Sequence, residues 1–239
     1  MKIVLIMPTS CVTCPYRQTG CLREQPDEAV SEFSNLLTRY SISGKGKTIF
    51  NQGELATGLY FLCSGLVKLT RLTEQGEEAI LDLMAPCSVI GGADALTETP
   101  LRISSSVTVT DLTEIAFLKK EDLFLIFQAY PRLGIGFSRH ISARLRKAYK
   151  LVADMRLPVE DRLLSLIARI IVLLTGKCEN GLIEIPISYR ELAQFAQITP
   201  ETLSRTLRIL RDKGFISVEK KGLRVLQEEV LRKYLWQMN

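Results

Sequence analysis

SYRELAQFAQITPETLSRTLRILRDKGFISVEKKGLRVL, residues 188–226, decides the architecture. Ser188 is placed to cap a helix YRELAQFA, and Thr199 to cap a second helix whose first position is Pro200, the favoured N-terminal arrangement. The AQI linker between them is short enough for a helix-turn-helix. Leu192 and Phe195 share the inner face of the first helix, and Leu203, Leu207 and Leu210 that of the second. Glu201, Ser204, Arg205 and Arg208 are left on the outer face. Arginine can clamp guanine O6 and N7, glutamate can accept from cytosine N4, and serine can do either, so this face suits the major groove. After Gly214, FISVEKKGLRVL reads as two strands around a Lys-Lys-Gly turn. That is a wing whose Lys220, Lys221 and Arg224 can meet phosphate. Ser188 and Thr199, at the two helix N-termini, complete the candidate DNA-binding set.

Upstream the pattern changes. Residues 42–117 consist of short apolar runs broken by glycine about every ten residues, which predicts an all-β barrel or roll. EQGEE marks a hairpin at Gly76, and Gly53, Gly58, Gly65 and Gly91 are expected in turns. DEAVSEFSNLLTRY precedes the roll as a short amphipathic helix, and KKEDLFLIFQAYP follows it as a helix closed by Pro131. Leu133, Phe137, Ile141, Leu145, Ala148, Val152 and Met155 then recur in steps of three and four, the narrow seam of a long helix suited to dimerisation. Pro158 ends that helix, and VEDRLLSLIARIIVLLTG begins a more apolar, buried one. The expected class is α+β, with a cysteine-bearing segment 1–27, a β-roll sensor 28–130, a dimerisation helix 131–157 and a winged helix-turn-helix 158–239.

A chain of 239 residues with 46% hydrophobic residues can build two cores. Its formal net charge of +5 permits a nucleic-acid partner without demanding one. No run reaches the ~20 apolar residues that cross a bilayer, and the N-terminus lacks a signal-peptide core, so a cytoplasmic protein without membrane contact is expected. A single histidine, no Gly-rich phosphate loop and no evident carboxylate pair give no support to an enzyme. Of six cysteines, Cys11, Cys14 and Cys21 form C-x2-C-x6-C in a loop-like, proline-flanked segment. Clustered thiols in a reducing compartment point to an iron–sulfur or zinc site or to redox-active thiols rather than structural bridges. Cys178 reads as an isolated thiol.

The helix-turn-helix residues, with GELATGLYFLCSGLVKL in the roll, resemble the Crp–Fnr superfamily of bacterial transcription regulators over nearly the whole chain. Glu201, Ser204 and Arg205 match the E-x-x-S-R pattern of the oxygen-responsive Fnr branch. That resemblance implies a homodimer on double-stranded DNA at palindromes with TTGAT-like half-sites, working with RNA polymerase.

The cysteine triad is similar to the one that, in Fnr-type regulators, holds an oxygen-labile 4Fe–4S cluster with a fourth cysteine from the β-roll. Here Thr113 stands where that cysteine should fall. Cys87, in a turn-like APC segment, is the first candidate for the fourth ligand, Cys63 the second, and Asp111 an oxygen alternative. The cyclic-AMP pattern of the superfamily is broken: Gly92 stands at its glutamate and Ile103 at its arginine, with Arg102 displaced, so no cyclic AMP is expected. The expected function is an oxygen- or redox-sensing regulator. The alternative is the same fold answering to a small organic or haem effector or to a thiol/disulfide switch.

Overall fold

The computed structural model describes residues 10–174, 182–183, 187–219 and 222–235. The chain forms two compact units, one built of Met1–Glu78 and Leu83–Arg144, the other of Leu145–Asn239 with Ala79–Asp82.

In the first unit, α1 (Asp27–Asn35) starts after Pro26 with Asp27 and Glu28 in its first turn, where carboxylates complement the helix dipole. Eight strands follow: β1 (Thr38–Ser43), β2 (Thr48–Phe50), β3 (Gly58–Ser64), β4 (Val67–Leu72), β5 (Glu78–Met84), β6 (Val89–Ile90), β7 (Ser105–Thr108) and β8 (Leu112–Lys119). They form two four-stranded sheets in the orders β1-β8-β3-β6 and β2-β7-β4-β5. The β4–β5 hairpin turns at Gly76, as its sequence predicts.

Alternation along the strands makes two cores. Leu62 and Ile115 face inward between the sheets with Phe50, Val67, Leu69, Met84 and Ile90. Leu59 and Leu118, on the opposite face, pack under α1, α3 (Lys120–Ala129) and the start of α4 (Pro131–Asp154), through Phe33, Leu123, Ile126, Leu133 and Phe137. Truncating a side chain as buried as Leu59 costs about 2–5 kcal/mol.

Two expectations need correction. Thr38–Tyr40, read with the first helix, instead opens β1, where Arg39 pairs with Ala116 of β8. The β-branched and aromatic residues there favour a strand once a partner edge is offered. Gly58, expected in a turn, begins β3, where an added Cβ would lie 2.2 Å from the Leu118 carbonyl oxygen. The close approach of β8, not turn geometry, is what requires glycine there.

The long-helix seam divides along α4. Leu133 and Phe137 are buried in the second core and Ile141 packs partly against it. Leu145 and Val152 are exposed, Val152 at 63%, and so is Met155, but the helix ends at Asp154, so Met155 lies in the turn after it and the expected stop at Pro158 comes four residues late.

The second unit begins with α5 (Val159–Leu174), buried along most of its length as expected. A short α2 (Gly92–Ala95) lies in the first unit. Next come β9 (Leu182–Ile183), α6 (Tyr189–Ala196), α7 (Pro200–Asp212), β10 (Ile216–Glu219), β11 (Gly222–Val225) and α8 (Glu228–Leu235). The three strands form one sheet in the order β10-β11-β9. Leu163, Ile167, Ile170, Leu192, Leu203, Leu207, Leu210, Ile216 and Leu231 are among the buried apolar residues of this unit. No helix among the described residues is long and apolar enough to cross a membrane.

Candidate functional site

The helix-turn-helix is held by its caps. Ser188 and Glu191 form a reciprocal capping box on α6, the hydroxyl accepting from the Glu191 N–H and the carboxylate from the Ser188 N–H. Gln197 ends α6 in the left-handed conformation at φ 53°. Thr199 then caps α7 by accepting from the Thr202 N–H at 3.2 Å, with Pro200 next. The expected inner residues Leu192, Phe195, Leu203, Leu207 and Leu210 are all buried. Glu201, Ser204, Arg205 and Arg208 are exposed together on the other face of α7. Hydrogen bonds from its own backbone N–H and from Thr199 hold the Glu201 carboxyl below the usual carboxylate range, which keeps it an acceptor.

In the wing, β10 and β11 pair antiparallel from Ile216↔Val225 to Glu219↔Gly222. Lys220 and Lys221 lie outside the described residues, as does Cys178. Arg224, expected to face phosphate, lies 2.6 Å from Glu219 in an ion pair across the hairpin.

The first unit gathers its cysteines. Cys11, Cys14, Cys21, Cys63 and Cys87 are all free thiols, Cys21 buried and the others half-buried. Their segment is irregular, as its prolines predict, with a single 3-10 turn over Arg17–Thr19. Ser34 on α1 anchors it by accepting from the Cys11 N–H at 3.0 Å. The Cys87 thiol donates to the Tyr16 carbonyl at 3.4 Å, and a Cβ on Gly20 would lie 1.9 Å from its sulfur. Cys87 therefore touches the loop between Cys14 and Cys21. Its backbone is left-handed at φ 72°, costly for a residue with a side chain.

The thiols also sense one another. Burial raises the Cys21 thiol, and the neighbouring Cys87 and Cys11 add to it. Burial pushes Cys63 up to about 11, opposed by Arg39 and aided by Cys11 and Cys14. Cys87 is raised by burial, against a hydrogen bond to Thr19, with Cys14 and Cys11 contributing. Asp111 is not of this group: its exposed carboxylate pairs with Lys45 at 3.9 Å, beyond the Ser43↔Leu112 end of the β1–β8 ladder. Thr113 is buried and shares a 3.0 Å hydrogen bond with Thr110. Among the described residues no three His, Cys, Asp or Glu side chains converge on one metal ion. The cysteines of a four-iron cluster each bind a different iron, so they need not converge, and an all-sulfur donor set fits such a group.

Arg102 and Ile103 face opposite ways in the roll. The Arg102 side chain turns inward while Ile103 is 57% exposed. The guanidinium donates to the Gly91 and Gly58 carbonyls at 2.9 and 2.7 Å and lies 4.3 Å over the Phe50 ring. Burial raises the Asp94 carboxyl and lowers the Arg102 guanidinium, each opposed by the other. Arg39, Ser34, Asp94 and Gly136 escaped sequence reasoning, because their roles come from contacts distant in sequence.

A β-roll and a winged helix-turn-helix in one chain are the parts of a DNA-binding transcription regulator. Residues 43–130 match the cyclic nucleotide-binding domain and residues 161–234 the Crp-like helix-turn-helix domain. The chain is 32% identical over 215 residues to the cyclic AMP receptor protein of Thermus thermophilus, covering 87% of this chain and 94% of the relative. It is 29% identical over 195 residues to the anaerobic regulatory protein of Bacillus subtilis, covering 79% and 82%. Its fold matches the c-di-GMP responsive regulator CLP of Xanthomonas campestris at a TM-score of 0.73 and 20% identity, over 84% of this chain and 100% of that one. The chain belongs to the Crp–Fnr family of DNA-binding transcription regulators, whose members are not enzymes. Because one relative is a cyclic-AMP receptor and another an anaerobic regulator, membership fixes the architecture and the DNA-binding class, not the signal.

Proposed function

We propose that this regulator senses oxygen or redox state through a 4Fe–4S cluster held by Cys11, Cys14, Cys21 and Cys87, and reads TTGAT-like palindromes as a homodimer. The observation that carries the reading is Cys87, held at positive φ with its thiol against the Cys14–Cys21 loop. Such a cluster, when bound, supplies oxygen- and redox-labile chemistry. The chain's own residues supply the connection to the long helix. Cys21 belongs to the same buried cluster as Leu133 and Phe137 of α4. A Cβ on Gly136 would lie 2.4 Å from the Cys21 carbonyl oxygen, and Gln25 donates to the Arg132 carbonyl at 3.2 Å. A rearranged cysteine segment must therefore disturb α4.

On this reading α4 forms the dimer helix within residues 131–157, through the exposed Leu145 and Val152 with Met155 in the turn just beyond its end. Glu201, Ser204 and Arg205 read bases, Arg208, Lys220 and Lys221 support them on the backbone, and Ser188 and Thr199 fix the helix N-termini near phosphate. RNA polymerase is the expected further partner. Cyclic AMP is not the proposed effector, because the inward guanidinium of Arg102 is already occupied by Asp94, Gly58 and Gly91.

Operator binding measured under nitrogen and again after air exposure tests the proposal. Tight binding to a TTGAT palindrome, lost in air and absent on a scrambled duplex, supports it. Equal binding in both atmospheres contradicts the sensing role.

A further inference from the structure

Arg39 is the one cation that the hydrogen-bond pattern ties directly to the cysteine sulfurs among the described residues. It lies on β1, in register with Ala116 of β8. One guanidinium nitrogen points at the Cys11 sulfur at 3.6 Å and donates to the Ser34 hydroxyl at 3.1 Å. The other points at the Cys63 sulfur at 4.0 Å. The Ser34 hydroxyl also accepts from the Cys11 N–H, so Cys11 is gripped through both its backbone and its sulfur. The rigid fork of guanidinium fixes several acceptors at once, which a lysine ammonium does as a single point charge.

We infer that Arg39 is a positioning residue that tunes the cysteine centre through the Cys11 sulfur. This rests on the cluster proposed above. A positive charge and an N–H bond at a ligand sulfur withdraw electron density from it, and hydrogen bonds to sulfur together with net charge set the potential of such centres. Arg39 therefore raises the reduction potential of the centre and makes its electrons harder for oxygen to remove. Cys63, on the other arm of the fork, stands beside the centre rather than in it.

The test compares the full-length wild type with Arg39→Lys and Arg39→Met, each loaded with iron and sulfide without oxygen. The readouts are the reduction potential and the rate at which visible absorbance bleaches when oxygen is admitted. Arg39→Met is expected to lower the potential and bleach several-fold faster, with Arg39→Lys between it and the wild type. Should Arg39→Met fail to fold, Arg39→Lys alone decides, because it keeps the charge and loses the fork. Wild type that takes up iron while both variants match it in potential and rate overturns the role of Arg39. Wild type that takes up no iron overturns the cluster itself.

Discussion

The guanidinium of Arg102 stands 3.8 Å from the carboxylate of Asp94, and both side chains are almost wholly buried in the β-roll. Removing one member of such a pair leaves the other as an uncompensated buried charge, which costs about 3–5 kcal/mol. Arg102→Ala and Asp94→Asn should therefore both lower the unfolding midpoint of the roll in urea, Arg102→Ala by more because it also takes away the donors to the Gly91 and Gly58 carbonyls. Midpoints in both variants that match the wild type would show that the pair carries little of the roll's stability.

Gly136 makes an opposite-sign prediction to the usual helix rule. Glycine to alanine inside a helix ordinarily gains about 0.5–1 kcal/mol. Here the new Cβ would meet the Cys21 carbonyl oxygen at 2.4 Å, a backbone atom that cannot step aside cheaply. Gly136→Ala should destabilise the apoprotein by about 1–3 kcal/mol, the range for overpacking. A denaturant titration that shows stabilisation would mean the cysteine segment does not pack on α4.

At Cys87 the backbone sets the order of substitutions. A side chain in the left-handed region costs about 1–2 kcal/mol relative to glycine. Cys87→Gly should be the more stable of the Gly and Ala variants in the metal-free protein, although both lose the thiol. Thermal melts in the presence of chelator and reductant measure the difference, and a more stable alanine variant would contradict the strained geometry.

In the second unit the Tyr234 hydroxyl and Lys233 hold the Asp161 carboxyl below its ordinary value of 3.8. A lowered folded-state value adds stability that is complete above 3.8 and is lost as pH falls through the folded value. Acid unfolding of the helix-turn-helix should therefore be shallower in Tyr234→Phe than in the wild type. Circular dichroism against pH checks this, and superimposable acid limbs would assign the dependence to other carboxylates.

The DNA-binding half was the most legible part of the sequence because its signals are local. A cap, a proline and an apolar repeat lie within a few residues of one another, and Ser188, Thr199 and Leu203 fall where those signals put them. The strands of the roll were legible from alternation and turns. Arg39 was missed because its three residues of strand carry no local signal strong enough to separate them from the preceding helix, and only pairing with β8 makes them extended. Arg102 and Ile103 differ by one position, and in a strand-like segment one position reverses which side chain faces the interior. Cys87 could be named as a candidate ligand, but its meeting with the Cys14–Cys21 loop spans about seventy residues, a distance over which sequence pattern says nothing.

The most direct measurement is iron, acid-labile sulfide and visible absorbance of oxygen-free preparations of the wild type, Cys87→Ser and Cys63→Ser. Wild type and Cys63→Ser should be brown and hold iron and sulfide in equal amounts, while Cys87→Ser loses most of both. A colourless wild type, or a Cys87→Ser protein as fully loaded as the wild type, would contradict the assignment of Cys87 to the sensing centre.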